Sequence, residues 1–331
     1  MTSMQASCVN GANVLVTGGT GSFGQAFVRH LFANHSPARV VVFSRDEFKQ
    51  HEMRQRVRAS ELHFFLGDVR DSDRLQRALR GIDIVIHAAA LKQVPTAELH
   101  PIEYVKTNII GAENVINACI DQNVRKLIAL STDKAVNPTS VYGATKLCAD
   151  KLFIAANHLA GPDGPRFSLV RYGNVIGSRG SVVQDFVQRR RTGTLPITDA
   201  RMTRFWVRIE DGAAFVAQCL DLMQGSEIFV PKVPSALIVD LAKAVCADCE
   251  HQVIGIRPGE KLHEVLIARD DARHTREFDD YYIVRPDNPL CNGGSPRHVD
   301  QQGRPVDHDF EYASNGNTRW LDIEALRAVI E

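Results

Sequence analysis

A tyrosine and a lysine four residues apart, Tyr142 and Lys146, have the types and spacing of a catalytic pair. Residues 142–156 have helical spacing, so both side chains lie on one face of a predicted helix. An ammonium group near a phenol stabilises the phenolate and lowers the tyrosine pKa. Tyr142 is therefore a candidate general base for an alcohol that loses a hydride. The alternative is a surface tyrosine and lysine on an amphipathic helix. The neighbouring motifs favour one or the other interpretation.

A polar tetrapeptide, Ser131-Thr132-Asp133-Lys134, precedes this helix and follows the apolar residues 126–130. The apolar run predicts a buried strand that ends at Ser131. Ligands of open α/β sheets collect at the carboxyl ends of the strands. A carboxyl group and an amine at such an end are a candidate acid and base, and an Asp133–Lys134 ion pair is the structural alternative.

Near the N-terminus, residues 13–17 predict a short buried strand and residues 22–32 a helix, with a glycine-rich turn between them. Three glycines at intervals of three allow a tight turn, a close backbone approach and a helix packed against the strand. Phosphate oxygens can then bind the first amides of the helix. The residues predicted to hold a dinucleotide in this turn are Gly18, Thr20, Gly21, Ser22, Phe23 and Gly24.

The second predicted strand, residues 39–43, ends in Ser44, Arg45 and Asp46, with Lys49 one turn further on. A carboxylate at this position usually binds the ribose hydroxyls of NAD, whereas an arginine accommodates the 2′-phosphate of NADP. Arg45, together with Ser44 and Lys49, favours NADP. Asp46 keeps NAD as the alternative.

Two further strands are predicted at residues 63–69 and 82–87. Asp68 and Val69 stand where the adenine would lie, and Ala88 and Ala89 let the backbone approach the cofactor ribose. The remaining residues assigned to the cofactor are Lys92, Tyr142, Lys146 and Val175. Alternating strands and helices predict an α/β fold, a Rossmann-type doubly wound parallel sheet, over residues 12–174. Residues 175–331 are predicted to form a smaller α/β substrate domain, with the chain crossing between the two.

The composition excludes several classes of protein. The 331 residues are 44% hydrophobic and 24% charged, with a formal net charge of zero, so no global field attracts nucleic acid or anionic membrane. No apolar run has the length of a membrane helix, and residues 1–13 lack a signal pattern. Seven scattered cysteines indicate reduced thiols and a cytoplasmic protein. Cys246 and Cys249 lack the further ligands that a closed zinc site needs, so no metal is expected.

Several motifs together resemble the extended short-chain dehydrogenase/reductase family of nucleotide-sugar enzymes, and within it the 4,6-dehydratases that invert C5. The resemblance covers about residues 12–331. Its motifs are residues 131–134, 142–148, 171–174, 177–181, 202–206 and 255–264, with the tail at 309–312. Retaining dehydratases have Asp-Glu where this chain has Asp133-Lys134, and simple 4-epimerases lack the pair. A sister capsule-sugar branch has methionine at the position of Tyr142.

The resemblance implies a redox-neutral dehydration of UDP-N-acetylglucosamine that begins pseudaminic acid biosynthesis. Tyr142 would take the proton of the C4 hydroxyl, with Lys146 beside it and Thr132 hydrogen-bonded to the C4 oxygen. Lys134 would be the base that removes the C5 proton, since an amine freed of its hydration shell is neutral near pH 7. Asp133 would be the acid that lets the C6 hydroxyl leave as water.

The resemblance also implies where the sugar nucleotide binds. Guanidinium groups match phosphate geometry, so two arginines of the set suit the diphosphate, and Glu260 could accept the ribose hydroxyls. The substrate residues are Lys92, Asn174, Val182, Thr198, Met202, Arg204, Arg257 and Glu260. By analogy, a homo-oligomer forms through the helix that carries Tyr142. Residues 291–303 are predicted to be a loop. The rival functions are a UDP-sugar 4-epimerase or 4-reductase, a retaining dehydratase, and a non-enzymatic NADP-sensing module.

Overall fold

A computed structural model describes residues 7–285 and 303–330 of the chain. The strands, numbered β1 to β17, are Asn13–Thr17, Arg39–Ser44, Leu62–Leu66, Ile84–His87, Lys126–Thr132, Arg166–Tyr172, Asn174–Ile176, Thr194–Ile197, Thr203–Arg208, Ile228–Pro231, Ser235–Leu237, Glu250–Val253, Val265–Ile267, Thr275–Glu277, Tyr281–Val284, Arg304–Pro305 and Tyr312–Ala313. The α-helices, numbered α1 to α11, are Ser22–Asn34, Glu47–Arg56, Ser72–Ala78, Val94–Leu99, Pro101–Tyr104, Gly111–Asp121, Val141–Ala160, Val182–Arg189, Ile209–Leu222, Ile238–Val245 and Ile323–Ile330. A π-helical segment occupies Val105–Ile110, and 3-10 turns occupy Asp133–Ala135, Arg190–Thr192 and Arg269–His274. Except for Gly303, the loop predicted at residues 291–303 lies outside the described residues.

One large sheet organises the described residues. Its strand order is β16-β14-β15-β10-β6-β5-β4-β1-β2-β3. The strands from β10 to β3 run parallel, and β15, β14 and β16 extend the sheet with antiparallel pairs. The inner strands are apolar and buried, which is typical of a parallel sheet covered on both faces. The predicted Rossmann-type doubly wound fold is confirmed, because β3-β2-β1-β4-β5-β6 is its strand order.

A smaller α/β unit adjoins this sheet. Its strand β9 pairs with β7 and β11, and β8 pairs with β12. A separate apolar core forms around Phe186, Leu195, Trp206 and Leu241. The chain crosses between the two units, because α9 packs against α1 and β10 pairs with β6. A cut at residue 174 would therefore leave strands of the large sheet in the second half, and the two-domain division stays a prediction.

Two elements that carry site residues are longer than the sequence pattern predicts. Strand β5 runs through Ser131 to Thr132, where it pairs with β6. Helix α7 starts one residue before Tyr142, because the Ser140 side chain accepts a hydrogen bond from the backbone nitrogen of Gly143. The strand therefore ends directly at the turn that begins with Asp133.

The cysteines differ in part from the expectation of reduced thiols. Cys246 and Cys249 form a disulfide, because α10 ends just before Cys246 and the following turn brings the two α-carbons within 5.4 Å. Cys8, Cys119, Cys148 and Cys219 are free thiols. The described residues hold no group of three or more potential metal ligands. Over the same residues, none of the helices combines the length and apolar content needed to cross a bilayer.

Candidate active site

The glycine-rich loop between β1 and α1 comes close to the end of β4. Gly18 has a φ of +64°, and a β-carbon on it would lie 2.8 Å from the backbone nitrogen of Ala89. A β-carbon on Gly24 would clash with the backbone of Gly19, so α1 packs directly against the loop. Helix α1 begins at Ser22 without a side-chain cap, which leaves its first amides available to phosphate oxygens. These close approaches form a cradle that fits a dinucleotide.

Other residues predicted to hold the cofactor line the same region. Thr20 is buried, and Gly21 occupies the N-cap position of α1. The Phe23 ring lies beside that of Tyr172, with 6.3 Å between centroids. Val69 is buried, and Val175 lies in β7, which begins two residues after β6 ends.

The end of β2 presents a cation rather than a free carboxylate. The Asp46 carboxylate accepts a hydrogen bond from the backbone nitrogen of Lys49 and pairs with the Lys49 ammonium at 2.6 Å. These bonds lower the pKa of Asp46. Arg45 is exposed, and its guanidinium lies 3.7 Å from the Asp68 carboxylate. Ser44 is buried and accepts a hydrogen bond from Gln50. Asp46 thus serves as a helix cap, and Arg45 stays accessible to a ligand.

The end of β4 is held by hydrogen bonds to one threonine. The backbone nitrogens of Ala88 and Ala89 both donate to the Thr17 hydroxyl at 3.2 Å. The same hydroxyl lies 2.9 Å from Nδ1 of His87. Burial, and secondarily the charge of Lys146, lowers the pKa of His87 to about 3, so this ring is neutral. The alanine backbone is therefore fixed next to the glycine loop.

Tyr142 reaches the strand-end turn because a glycine follows it. A side chain on Gly143 would clash with the backbone carbonyl of Lys134. Helix α7 can therefore approach the Asp133–Ala135 turn closely, and the two elements pack together. Tyr142 and Lys146 are both buried, and Lys146 Nζ donates to the backbone oxygen of Leu130 at 2.7 Å. The structure thus brings the two predicted catalytic motifs together.

The expected lowering of the Tyr142 pKa by Lys146 is not found. Burial raises the pKa of Tyr142 to about 12, opposed by the charge of Lys134 and reinforced by that of Asp133. Burial also lowers the pKa of Lys146, whose ammonium donates to the Leu130 carbonyl. The cation that acts on the phenol is therefore Lys134, from the other motif.

Asp133 and Lys134, the predicted acid and base, form an ion pair. Lys134 Nζ lies 2.9 Å from Asp133 Oδ1 and donates to Asn174 Oδ1 at 3.2 Å. The Thr132 hydroxyl donates to the same Asp133 oxygen at 2.9 Å. Asp133 is fully buried, and its second oxygen has no hydrogen-bond partner in the described residues. Such an oxygen can carry a proton and can bind a substrate hydroxyl.

A second buried carboxylate, that of Glu264, lies within ion-pair distance of Lys134. Glu264 Oε1 is 3.4 Å from Lys134 Nζ and 3.7 Å from Nε of Arg204, and Oε2 is 3.3 Å from Nζ of Lys261. Lys261 Nζ also donates to the backbone oxygen of Val136 at 2.7 Å, which ties this segment to the catalytic turn. Sequence reasoning missed Glu264. Its signal was its place as the last residue of the 255–264 motif.

These contacts correct the expectation that Lys134 is a neutral, desolvated amine. Burial lowers the pKa of Lys134, but Asp133 and Glu264 outweigh it, and the pKa ends above its ordinary value. Beside these two carboxylates the side chain is therefore an ammonium. Burial raises the pKa of Asp133, although Lys134 opposes the shift. Burial opposes ionisation of Glu264 too, yet Lys134, Arg204 and Lys261 together lower its pKa.

The basic residues assigned to the substrate differ in their availability. Arg204 is buried, and its guanidinium donates to the backbone oxygens of Thr203, Leu262 and Lys261. Arg257 is exposed and forms an ion pair with Glu260. Burial, followed by repulsion from Lys134, lowers the pKa of Lys92, so this amine lies within electrostatic reach of the acid/base pair.

The other substrate residues lie in the smaller unit or between the two units. Val182 begins α8, and Thr198 and Met202 are buried on either side of the β8–β9 turn. The 257–260 segment reaches the catalytic helix, because the Thr139 hydroxyl donates to the backbone oxygen of Gly259. The smaller unit thus faces α7 across the site.

One contact that the sequence did not predict joins the two ligand regions. The backbone nitrogen of Arg179 donates to the Ser22 hydroxyl at 3.0 Å. Gly177 and Gly180 on either side have φ values of +81° and +69°. The loop that leads into α8 therefore rests on the start of the cofactor helix.

Known proteins share this arrangement over most of their length. The sequence pattern of the family described as "Polysaccharide biosynthesis protein" matches residues 14–286. The UDP-N-acetylglucosamine 4,6-dehydratase (inverting) of Campylobacter jejuni subsp. jejuni strain 81-176 is 50% identical over 326 residues, 97% of this chain and 98% of the relative. The solved structure of Pen from Bacillus thuringiensis has a TM-score of 0.89 and 32% identity, covering 98% of each chain. The Thermus thermophilus UDP-glucose 4-epimerase in complex with NAD has a TM-score of 0.64 and 26% identity, covering 75% of this chain and 88% of that one.

Proposed function

Since the chain belongs to the polysaccharide biosynthesis protein family of short-chain dehydrogenase/reductase-like enzymes, we propose that it is a UDP-N-acetylglucosamine 4,6-dehydratase that inverts C5. The observation that carries this proposal is the Asp133–Lys134 pair lying against Tyr142 beside the dinucleotide cradle. A dehydratase needs an acid and a base beyond the tyrosine that serves hydride removal. The product would be UDP-2-acetamido-2,6-dideoxy-beta-L-arabino-hex-4-ulose.

The chain uses a nicotinamide cofactor, and we propose that it is NADP. When bound, the cofactor accepts the hydride from C4 and supplies the hydride that reduces C6. Gly18, Ser22 and the Ala88–Ala89 backbone would hold its pyrophosphate and ribose. Arg45 supports NADP, because it is the exposed cation at the strand end that would face a 2′-phosphate. Asp46 argues less for NAD than its position suggests, since it caps α2.

The residues of the site would act in a fixed order. Tyr142 takes the proton of the C4 hydroxyl while Thr132 holds that oxygen. The Lys134 ammonium passes one proton across 2.9 Å to Asp133, which leaves a neutral amine and a carboxylic acid. The amine removes the proton at C5, which the new 4-ketone has acidified. Asp133 gives its proton to the C6 hydroxyl, which leaves as water, and a proton from solvent reaches C5 from the opposite face.

The contacts of the site suit these roles. Burial raises the pKa of Asp133, so the carboxyl group can hold the proton it must donate. Asn174 keeps the Lys134 nitrogen next to Asp133. Arg257, Val182, Thr198 and Met202 are assigned to the UDP moiety. Arg257 would leave its ion pair with Glu260 and bind the diphosphate. Arg204 is buried and would instead act through the residues around it.

The strongest rival is a 4-epimerase of the same family, since the Thermus thermophilus epimerase shares the fold. An epimerase removes no water and needs no third acid/base group, so it leaves the buried Asp133–Lys134 pair without a role. A non-enzymatic sensor would need neither this pair nor Tyr142. We further propose that the enzyme acts in the cytoplasm, as a homo-oligomer, at the start of pseudaminic acid biosynthesis.

Isotope labelling tests the whole reaction. UDP-N-acetylglucosamine carrying deuterium at C4 should give a product with deuterium in the C6 methyl group, without net accumulation of NADPH. In heavy water, unlabelled substrate should gain deuterium at C5, with inverted configuration at early times. Both products are read by NMR, and the Tyr142→Phe protein controls for contaminating enzymes. A C4 epimer without loss of water would assign the chain to the epimerases, and retained C5 configuration would assign it to the retaining dehydratases.

A further inference from the structure

The site contains two buried carboxylates on one lysine, although the dehydration needs only one acid. Asp133 and Glu264 both lie within ion-pair distance of Lys134 Nζ, at 2.9 and 3.4 Å. The two carboxylate side chains are 0% and 3% exposed, whereas the Lys134 side chain is 25% exposed. Leaving a carboxylate buried costs free energy unless it is paired. Glu264 therefore needs a role.

The two carboxylates differ in what surrounds them. Besides Lys134, the group that donates to the Asp133 carboxylate is the neutral Thr132 hydroxyl. Glu264 has two further cations, Arg204 at 3.7 Å and Lys261 at 3.3 Å. The pKa of Asp133 is accordingly raised by burial, and that of Glu264 is lowered by its cations. When environments push two carboxyl pKa values apart, the groups have different roles.

Glu264 is also held firmly in place. Its backbone nitrogen donates to the Ser314 hydroxyl at 2.9 Å, and the Ser314 backbone nitrogen donates to the Glu264 backbone oxygen. Arg204, which contacts the carboxylate, is fixed by three backbone carbonyls. The carboxylate therefore cannot follow Lys134 if the lysine moves. The Glu264 carboxylate therefore determines where Lys134 Nζ can lie.

We propose that Glu264 is a positioning residue of the dehydration, a permanent anion that holds Lys134 Nζ while the lysine proton moves to Asp133 and back. After that transfer the neutral amine keeps two N–H donors, and two acceptors await them, Glu264 Oε1 and Asn174 Oδ1. The lone pair of the Lys134 amine then points in the one direction that neither acceptor occupies. This role rests on the proposed dehydratase function, because it concerns the C5 proton and not the C4 hydride.

The decisive variant is Glu264→Gln, which keeps the shape and removes the charge. Two steps are measured: single-turnover reduction of NADP from the C4 hydride, and exchange of C5 with heavy water as a function of pH. NADP reduction should stay within about twofold of wild type, since Tyr142 performs that step. The exchange should lose about tenfold or more of its maximal rate, because the amine is less well placed.

The pH profile separates positioning from a merely structural effect. Above the pKa of Lys134 the amine is neutral without passing its proton to Asp133, and the Glu264 anion raises that pKa. The rise of exchange with pH should therefore move to lower pH in Glu264→Gln, by about one unit or more. A profile with the same position and shape as the wild type overturns the proposal. So does an unchanged maximal rate.

Two further variants complete the test. Glu227→Gln removes another buried glutamate, one bonded to Ser168 outside the site, and should leave the exchange profile unchanged. If Glu264→Gln does not fold, Glu264→Asp decides, because a shorter side chain keeps the charge but withdraws it from Lys134. It should slow C5 exchange about tenfold while NADP reduction continues, and wild-type exchange in this variant overturns the proposal. Wild-type protein that never reduces NADP would instead refute the dehydratase function itself.

Discussion

Lys134 and Lys146 lie in the same site, yet the two regions that hold them treat an ammonium group in opposite ways. Burial lowers the pKa of each. At the strand end, two carboxylates reach Lys134 and reverse the effect. On α7, Lys146 donates to a carbonyl oxygen, and Asp150 raises its pKa without overcoming burial. Asp150 itself is engaged by Ser131 and Arg171.

The difference teaches that burial alone does not decide the charge of a lysine in this site. Lys134 belongs to a group of charges in which a proton can move over 2.9 Å to a carboxylate. Lys146 has no carboxylate partner within ion-pair distance in the described residues, so its amine is suited to hold a ligand. We therefore propose that the strand end moves protons and that α7 binds the cofactor and carries Tyr142.

The largest expected effect comes from Tyr142→Phe, because both regions act on this phenol. Removing the base for the C4 hydroxyl should slow dehydration by about 100- to 10,000-fold. Binding of UDP-N-acetylglucosamine, measured by calorimetry, should remain within about twofold, since the phenol acts at the reacting centre. Tyr281→Phe, which changes a half-buried tyrosine of β15, is the matched control. Substantial dehydration by Tyr142→Phe would mean that the strand end can perform the oxidation by itself.

Exchanging each lysine for alanine tests the comparison directly. Lys134→Ala should slow C5 exchange by about 100-fold, because the C5 base is lost, and should slow NADP reduction less, because there it removes only the charge that opposes the rise of the Tyr142 pKa. Lys146→Ala should instead weaken NADP binding and slow NADP reduction. Single-turnover absorbance of the reduced cofactor and NMR of C5 exchange measure the two steps. Equal losses in both steps for both variants would erase the distinction between the regions.

The pH dependence should show that both proton acceptors start protonated. The pKa of Tyr142 is raised to about 12, and that of Lys134 is also above its ordinary value. Tyr142 acts as a base only after its proton has gone to solvent, whereas Lys134 passes its proton to Asp133, so turnover should rise with pH from neutral to mildly alkaline conditions through Tyr142. The slope should not exceed about tenfold per pH unit for each group that titrates. Turnover under saturating substrate that is highest at acidic pH would contradict this order of protonation.

The smallest effect is expected at the cofactor edge, away from both lysines. Arg45→Asp should weaken NADP binding by about tenfold or more, because a 2′-phosphate would then face a carboxylate. NAD binding should change little. Arg56→Asp makes the same charge change at the far end of α2 and serves as the control. Fluorescence titration with both cofactors measures the ratio, and an unchanged NADP affinity would remove Arg45 from the cofactor site.

The sequence predicted the features that depend on neighbours along the chain. The β1 strand, the glycine turn and α1 followed from spacing, and so did the pairing of Tyr142 with Lys146 on one helix. These features are local, so a pattern of a few residues determines them. The same holds for Asp133 and Lys134, which are adjacent.

What the sequence could not predict depends on residues that folding brings together. Glu264 meets Lys134 because the Asp133–Ala135 turn packs against β13, the strand that directly follows Glu264. The raised pKa of Tyr142 reflects the depth of its burial, which no spacing reveals. Arg204 looked like a phosphate ligand by type, yet three backbone carbonyls use its donors. The charge and the burial of a site residue depend on contacts from segments that are far apart along the chain.

The strand order of the large sheet has a consequence for synthesis on the ribosome. Strands β1 to β6 come from residues before 173, and they pair among themselves. The outer edge of β6 is covered by β10, which begins at Ile228. A growing chain therefore exposes an apolar strand edge until β10 emerges, and such an edge can pair with another unfinished chain. We expect translation pauses between these strands to lower the yield of folded protein more than pauses elsewhere.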